Sequence, residues 1–184
     1  MCKPASFVIV KKGGLKVLWD KAISESHEDI IEYFGLNETN VRGEITFCRV
    51  EIIPPNDDFS LPLSKWEFCV DQDILPFWWN AKKAEAATRK ELKAWRDARV
   101  VLPGKTRKEI AGNDYVTIVL GTVEFVCDSA TVKSVSGSAT VESVYGSATV
   151  TQNGPQIQSA ICDKNAVVID RSVTPPKCYV GPQK

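Results

Sequence analysis

An α+β domain followed by a short β-solenoid, made of nonapeptide repeats in about two coils with capping strands, is the fold class this sequence predicts. Three observations predict it. The tetrapeptide Ser-Ala-Thr-Val recurs at 129, 138 and 147. The first hundred or so residues instead mix strand-like alternation with a long amphipathic helical stretch. Between the two lies 102–112, LPGKTRKEIAG, enriched in Gly, Lys and Arg. The expected organisation is therefore an α+β domain over 1–101, a linker over 102–112, and a solenoid with capping strands and a C-terminal tail over 113–184.

The chain opens with two apolar runs, FVIV and LKVLW, flanking KKGG, which is the sign of a β-hairpin. SESHEDIIEYFGL follows. Ser24 or Ser26 can accept from the first free amides of a helix, Glu28 and Asp29 sit at its positive end, and Gly35 can end it in a left-handed conformation. Ile30, Ile31 and Phe34 form its apolar face. ITFCRVEII at 45–53 alternates as a strand, and Pro54 and Pro55 end it because neither donates a ladder hydrogen bond. KWEFCVD at 65–71 is a second strand, with Trp66, Phe68 and Val70 expected on one face. The clearest helix is 81–99, with Asn80 as cap and Ala84, Ala87 or Thr88, Leu92 and Trp95 as its packing stripe.

In blocks of nine, residues 120–155 read LGTVEFVCD, SATVKSVSG, SATVESVYG and SATVTQNGP. Thr122, Thr131, Thr140 and Thr149 share one column, Val123, Val132, Val141 and Val150 the next, and Val126, Val135 and Val144 a third, until Asn153 breaks the pattern. Side chains alternate across a strand, so Ala and Val of each block face one side while Ser and Thr face the other. Gly137 and Gly146, with Asp128 at the matching place, supply the corner. Nine residues span at most about 30 Å, so one block makes half a coil. Units this small need caps. NDYVTIVL at 113–120 is the expected first strand and SAICDKNAVVIDRS at 159–172 the closing pair, with Pro175, Pro176 and Pro182 stopping further pairing. Glu124, Lys133 and Glu142 are expected to form an alternating-charge column.

Composition narrows the function. Lys plus Arg and Asp plus Glu are equal at 23 each, so no net field favours nucleic acid. Cys2, Cys48, Cys69, Cys127, Cys162 and Cys178 are too widely spaced for metal knuckles, and His27 is the only histidine, so no metal or other cofactor is expected. With neither a leader pattern nor a stretch of ~20 apolar residues, the expected location is the cytoplasm, where thiols stay reduced and pack as small hydrophobes. KKGG and LPGKT lack the spacing of a phosphate loop. Asp57-Asp58 and Asp71 with Asp73 read as turn formers. The best enzymatic pair is Cys2, freed by removal of Met1, with His27; without a second histidine or a nucleophile elbow, no enzyme is expected.

SATVKSVSGSATVESVYGSATV resembles the tandem repeats of phage and prophage proteins of unknown function, and MCKPASFVIVKKGG, LPLSKWEF and DILPFWWNAKKAEAATRKELKAW resemble the amino-terminal part accompanying them. The resemblance implies a phage or prophage source and a bacterial cytoplasm, and it carries over no known catalytic residues. The expected function is then non-enzymatic binding of a host protein or complex, an inhibitor of a defence complex such as a CRISPR effector being one use. Trp66, Phe77, Trp78 and Trp79 in the first domain, and Lys133, Glu142 and Tyr145 on the repeats, are the candidate contact residues. Neither membrane nor nucleic acid is an expected partner, and a homodimer through a solenoid edge is. The alternatives are a nucleotide-sequestering protein with a Trp- and Arg-lined pocket between the domains, and a Cys2 thiol hydrolase.

Overall fold

The computed structural model describes residues 4–153, 160–161 and 163–181. The chain divides into two compact units, 1–96 and 97–184.

The first unit is built on an antiparallel sheet. Its strands are β1 (Ser6–Lys11), β2 (Leu15–Leu18), β3 (Phe47–Ile53) and β4 (Glu67–Val70), in the order β2-β1-β3-β4. KKGG does form the turn of the β1–β2 hairpin, with Gly13 at φ 70°. Helix α1 (His27–Tyr33) is capped by Ser26, whose side chain accepts from the amides of Glu28 and Asp29. Its Ile30 joins Val8, Val10 and Phe47 in a core on one face of the sheet. Alternation sends Phe7 to the other face, toward the long helix α2 (Ala81–Arg99). The stripe Ala84, Thr88, Leu92 and Trp95 is fully buried, and the Trp95 ring lies 6.4 Å from both Phe7 and Trp66. Arg89 ties the helix down by donating to the Trp66 carbonyl at 3.1 Å.

The second unit is a β-solenoid of about three turns over residues 100–170. Its walls are parallel sheets that the chain visits alternately. One wall carries β5 (Val100–Val101), β7 (Tyr115–Val116), β8 (Ile118–Val119), β10 (Thr131–Val135), β12 (Thr149–Gln152) and β14 (Val167–Asp170). The other carries β6 (Thr106–Ile110), β9 (Thr122–Val126), β11 (Thr140–Val144) and β13 (Ala160–Ile161). Thr122 pairs with Thr140, and Thr131 with Thr149, so each nonapeptide is one wall plus one corner and like residues stack every eighteen. Ala and Val point inward as expected. Val123, Val126, Val132, Val135, Val141, Val144 and Val150 have no exposure, nor do Ala130 and Ala148. Each buried valine contributes about 1.5 kcal/mol or more.

The corners follow the predicted chemistry. Asp128, Gly137 and Gly146 lie at φ 57°, 67° and 63°. At Gly146 a Cβ would also sit 2.8 Å from the Asp128 carbonyl oxygen, so space as well as conformation demands glycine. Corners are bonded turn to turn: Asp128 Oδ2 accepts from the Gly112 amide at 2.9 Å, and Asp163 Oδ2 from the Gly146 amide at 2.8 Å.

The two ends of the solenoid differ from expectation. Residues 102–112 are not a bare connection, because Thr106–Ile110 form β6, paired in parallel with β9. TRKEI gave no apolar alternation because β6 is the edge of its wall, where charged side chains blunt further pairing. Together with β5 and β14 it carries the solenoid beyond the four repeat blocks. The closing pair expected over 159–172 is two strands on opposite walls, β13 beside β11 and β14 beside β12. Pro175 and Pro176 do not stop pairing: they lie in the turn to β15 (Lys177–Val180), which runs antiparallel to β14 and caps that wall.

Candidate functional site

Of the seven expected contact residues, the structure brings three together. Downstream of β4 the Gln72 side chain donates to the carbonyls of Phe47 and Ile74, Pro76 is buried, and the Trp79 amide closes a turn onto the Pro76 carbonyl at 2.9 Å. This tight path presents Phe77, Trp78 and Trp79 in succession, just before Asn80 Oδ1 accepts the Lys83 amide at 3.0 Å and starts α2. The three line a cleft of about 410 Å³ with Lys11, Leu15 and Lys83. Phe77 is 78% exposed, whereas Trp78 and Trp79 are half-buried with rings 6.5 Å apart. The Lys11 ammonium lies 5.9 Å from the Phe77 centroid, within reach of its π-face.

Among the described residues no acidic side chain lines this cleft, and the first turn of α2 has none either. Lys82 and Lys83 occupy positions that usually favour carboxylates because of the helix dipole. The result is a positive aromatic surface. Lys82-Lys83 after Asn80 was a legible hint of it; Lys11 and Leu15 were not, because only the hairpin brings them to the aromatic run.

Trp66 does not belong to that surface. It is 1% exposed, packed edge-on against Phe59 at 5.7 Å and Trp95 at 6.4 Å, and its Nε1 donates to the Leu61 carbonyl at 3.3 Å. Trp66 is extended and leads directly into β4, so it keeps the alternation expected with Phe68 and Val70, which pair with Ile52 and Val50 but are half-buried and exposed.

On the solenoid, Lys133 and Glu142 are exposed but stand on different walls, β10 and β11. The expected alternating column of Glu124, Lys133 and Glu142 is thus absent. Instead, the pairs Val123–Val141 and Phe125–Ser143 set Glu124 beside Glu142, and the β6 register sets Lys108 on the other side of Glu124. The nonapeptide period misled because walls alternate. Tyr145 is half-buried, its ring 6.1 Å from that of Phe125.

Thiol chemistry finds little support among the described cysteines, and Cys2 and Cys162 lie outside the described residues. Contrary to a uniform buried role, only Cys48 is buried; Cys69 and Cys127 are half-exposed and Cys178 exposed. Burial pushes the Cys48 thiol up to about 12. Cys127 is pushed up to about 11, by desolvation first and then by Glu109, whose Oε1 accepts from the thiol at 3.3 Å. Since the thiolate is the nucleophile, about a thousandth of Cys127 is reactive at pH 8. Iodoacetamide labelling of Cys127, followed by mass spectrometry, should rise tenfold from pH 8 to 9 and still climb at pH 10, and Glu109→Gln should accelerate it. A plateau by pH 9 would contradict this. His27, the expected partner of Cys2, is fully buried with Nε2 3.1 Å from the Val50 carbonyl oxygen, so it is a hydrogen-bonded first-turn residue and not a solvated one.

Fold and site together define a β-solenoid protein whose N-terminal α+β unit carries an aromatic, lysine-rimmed cleft. Compared with protein-family models, with curated proteins and with solved structures, the chain matches none. Among the described residues no helix is long and apolar enough to cross a membrane.

Proposed function

We propose that this protein is a non-enzymatic interaction protein and that the Phe77–Trp79 cleft seats an acidic, apolar-containing segment of a partner protein. The observation that carries this reading is the 78% exposure of Phe77 between lysines, with no carboxylate in the lining among the described residues. Exposed aromatic side chains next to cations are what protein interfaces bury as anchors. A small-molecule pocket, by contrast, is concave and encloses most of its ligand, and Phe77 stands out of the cleft instead of closing it. The finer form of the proposal is a phage or prophage protein acting in a bacterial cytoplasm, with a host defence complex such as a CRISPR effector as target; its support is the resemblance of the SATV repeats and the N-terminal segments. A homodimer through the solenoid is supported by β15, an end strand with Tyr179 44% and Val180 58% exposed.

The test is affinity capture from host lysate with the full chain, followed by titration of the captured protein. Phe77→Ala with Trp79→Ala should weaken binding at least about 30-fold, as expected for a pair of anchor residues, with the circular dichroism unchanged. Lys11→Glu with Lys83→Glu should weaken it further at low salt. Equal retention by wild type and both variants would remove this cleft from the contact surface. A nucleotide-induced rise in Tm that needs Trp79 would favour the sequestering alternative.

A further inference from the structure

A second cluster, made of residues outside the Phe77–Trp79 cleft, lies on the α1 side of the sheet. His27 opens α1, Glu51 lies on β3 on the same face as Phe47, and Asp71 follows β4, its amide bonded to the Arg49 carbonyl at 3.0 Å. Three separated parts of the chain thereby converge. One ligating atom from each of His27, Glu51 and Asp71 lies within 4.8 Å of the others. His27 is 0% and Glu51 6% exposed, whereas the Asp71 side chain is 54% exposed.

The tautomer of His27 decides what this cluster can do. Its Nε2 faces the Val50 carbonyl oxygen at 3.1 Å, and a carbonyl only accepts, so Nε2 carries a proton. In the neutral ring Nδ1 therefore presents a lone pair, and it presents it to Asp71 Oδ2 at 3.2 Å, itself an acceptor. Two lone pairs facing one another at that distance require a positive centre between or beside them. A proton on Nδ1 meets the requirement, and so does a metal ion. Glu51 brings a buried carboxylate within the same 4.8 Å, a third ligating group beside the imidazole and Asp71. A ring nitrogen aimed by a backbone carbonyl on its far side is the usual outer support of a metal-bound histidine.

We propose that His27 Nδ1, Glu51 and Asp71 bind one divalent transition-metal ion of the zinc class. One imidazole with two carboxylates suits Zn²⁺ and its neighbours, whereas Mg²⁺ and Ca²⁺ prefer sites made wholly of oxygen. Three protein ligands leave a coordination position open. Asp71 also borders a cleft of about 510 Å³ lined by Glu38, Arg49 and Asp73, through which the ion can enter. Bound there, the ion cross-links the start of α1 to β3 and to the chain after β4. The proposal is independent of the Phe77–Trp79 surface.

The experiment uses the full chain, with ZnCl₂ as probe, MgCl₂ as contrast, and calorimetry and thermal unfolding as readouts. One equivalent of Zn²⁺ should bind and raise Tm, and Mg²⁺ should do neither. Asp71→Ala, at an exposed position that leaves the core intact, should weaken Zn²⁺ binding at least about tenfold, and Asp73→Ala in the same cleft should leave it unchanged. His27→Gln should abolish binding; if that variant does not fold, Asp71→Ala decides. With Co²⁺ in place of Zn²⁺ the spectrum should lack a thiolate charge-transfer band. Absence of saturable one-to-one binding overturns the proposal and leaves His27 Nδ1 and Asp71 as a contact without an ion. Unchanged binding in Asp71→Ala, or a thiolate band assigning the ion to cysteines, overturns it equally.

Discussion

Gly121→Ala is expected to destabilise the solenoid more than any other single-methyl change. A Cβ at this position would lie 2.3 Å from the Lys105 carbonyl oxygen and 2.4 Å from that of Leu102. Both are backbone atoms, so no side chain can swing aside and the neighbouring corner itself must move. That corner is tied in place by the Thr122 amide donating to Lys105 at 2.9 Å and the Leu120 amide donating to Val101 at 2.8 Å. Overpacking alone costs about 1–3 kcal/mol, and each strained hydrogen bond adds about 1 kcal/mol. Gly137→Ala is the comparison. It has positive φ but nothing within 4 Å of a Cβ, so only the backbone penalty of about 1–2 kcal/mol applies. Urea unfolding followed by circular dichroism should rank Gly121→Ala below Gly137→Ala, and the reverse order would show that the two corners yield readily.

Trp95→Ala should come close to unfolding the N-terminal unit. Trp95 is fully buried between Phe7 and Trp66, and Trp66 in turn packs on Phe59, so truncation opens a cavity in a continuous aromatic core. Such changes cost about 3–5 kcal/mol, a large part of the ~5–15 kcal/mol that stabilises a domain. Trp78→Ala, at a half-buried position, should cost far less. Fluorescence-detected urea titrations of the two variants test this, and Trp95→Phe should recover part of the loss. Equal midpoints for Trp95→Ala and Trp78→Ala would mean that the ring of Trp95 is dispensable.

The repeat was legible because its signal is doubled: identical tetrapeptides mark the inward valines, and Gly or Asp marks each corner. Helix α2 was legible to its last residue for a similar reason, with Asn80 at its start and a continuous stripe to Trp95. Less was readable at the edges. β6 carries charge where an interior strand would carry valine, and β15 follows two prolines, so local pattern argued against both. The candidate sites were half visible. Adjacent aromatics at 77–79 announce a surface because they cannot all turn inward, but the burial of Trp66 depends on Phe59 and Trp95, far away in sequence. The His27 cluster gave no motif at all, since its residues come from three separated parts of the chain whose register only the folded sheet fixes.

Because consecutive nonapeptides lie on opposite walls, the molecule obeys a parity rule. Gain or loss of a single block between two stacked partners would transfer the later one to the other side, as it would Asp163 relative to the Gly146 amide or β14 relative to β12. Only even numbers of blocks conserve those partnerships. Growth or shrinkage of this scaffold, in nature or by design, should therefore proceed in steps of eighteen residues.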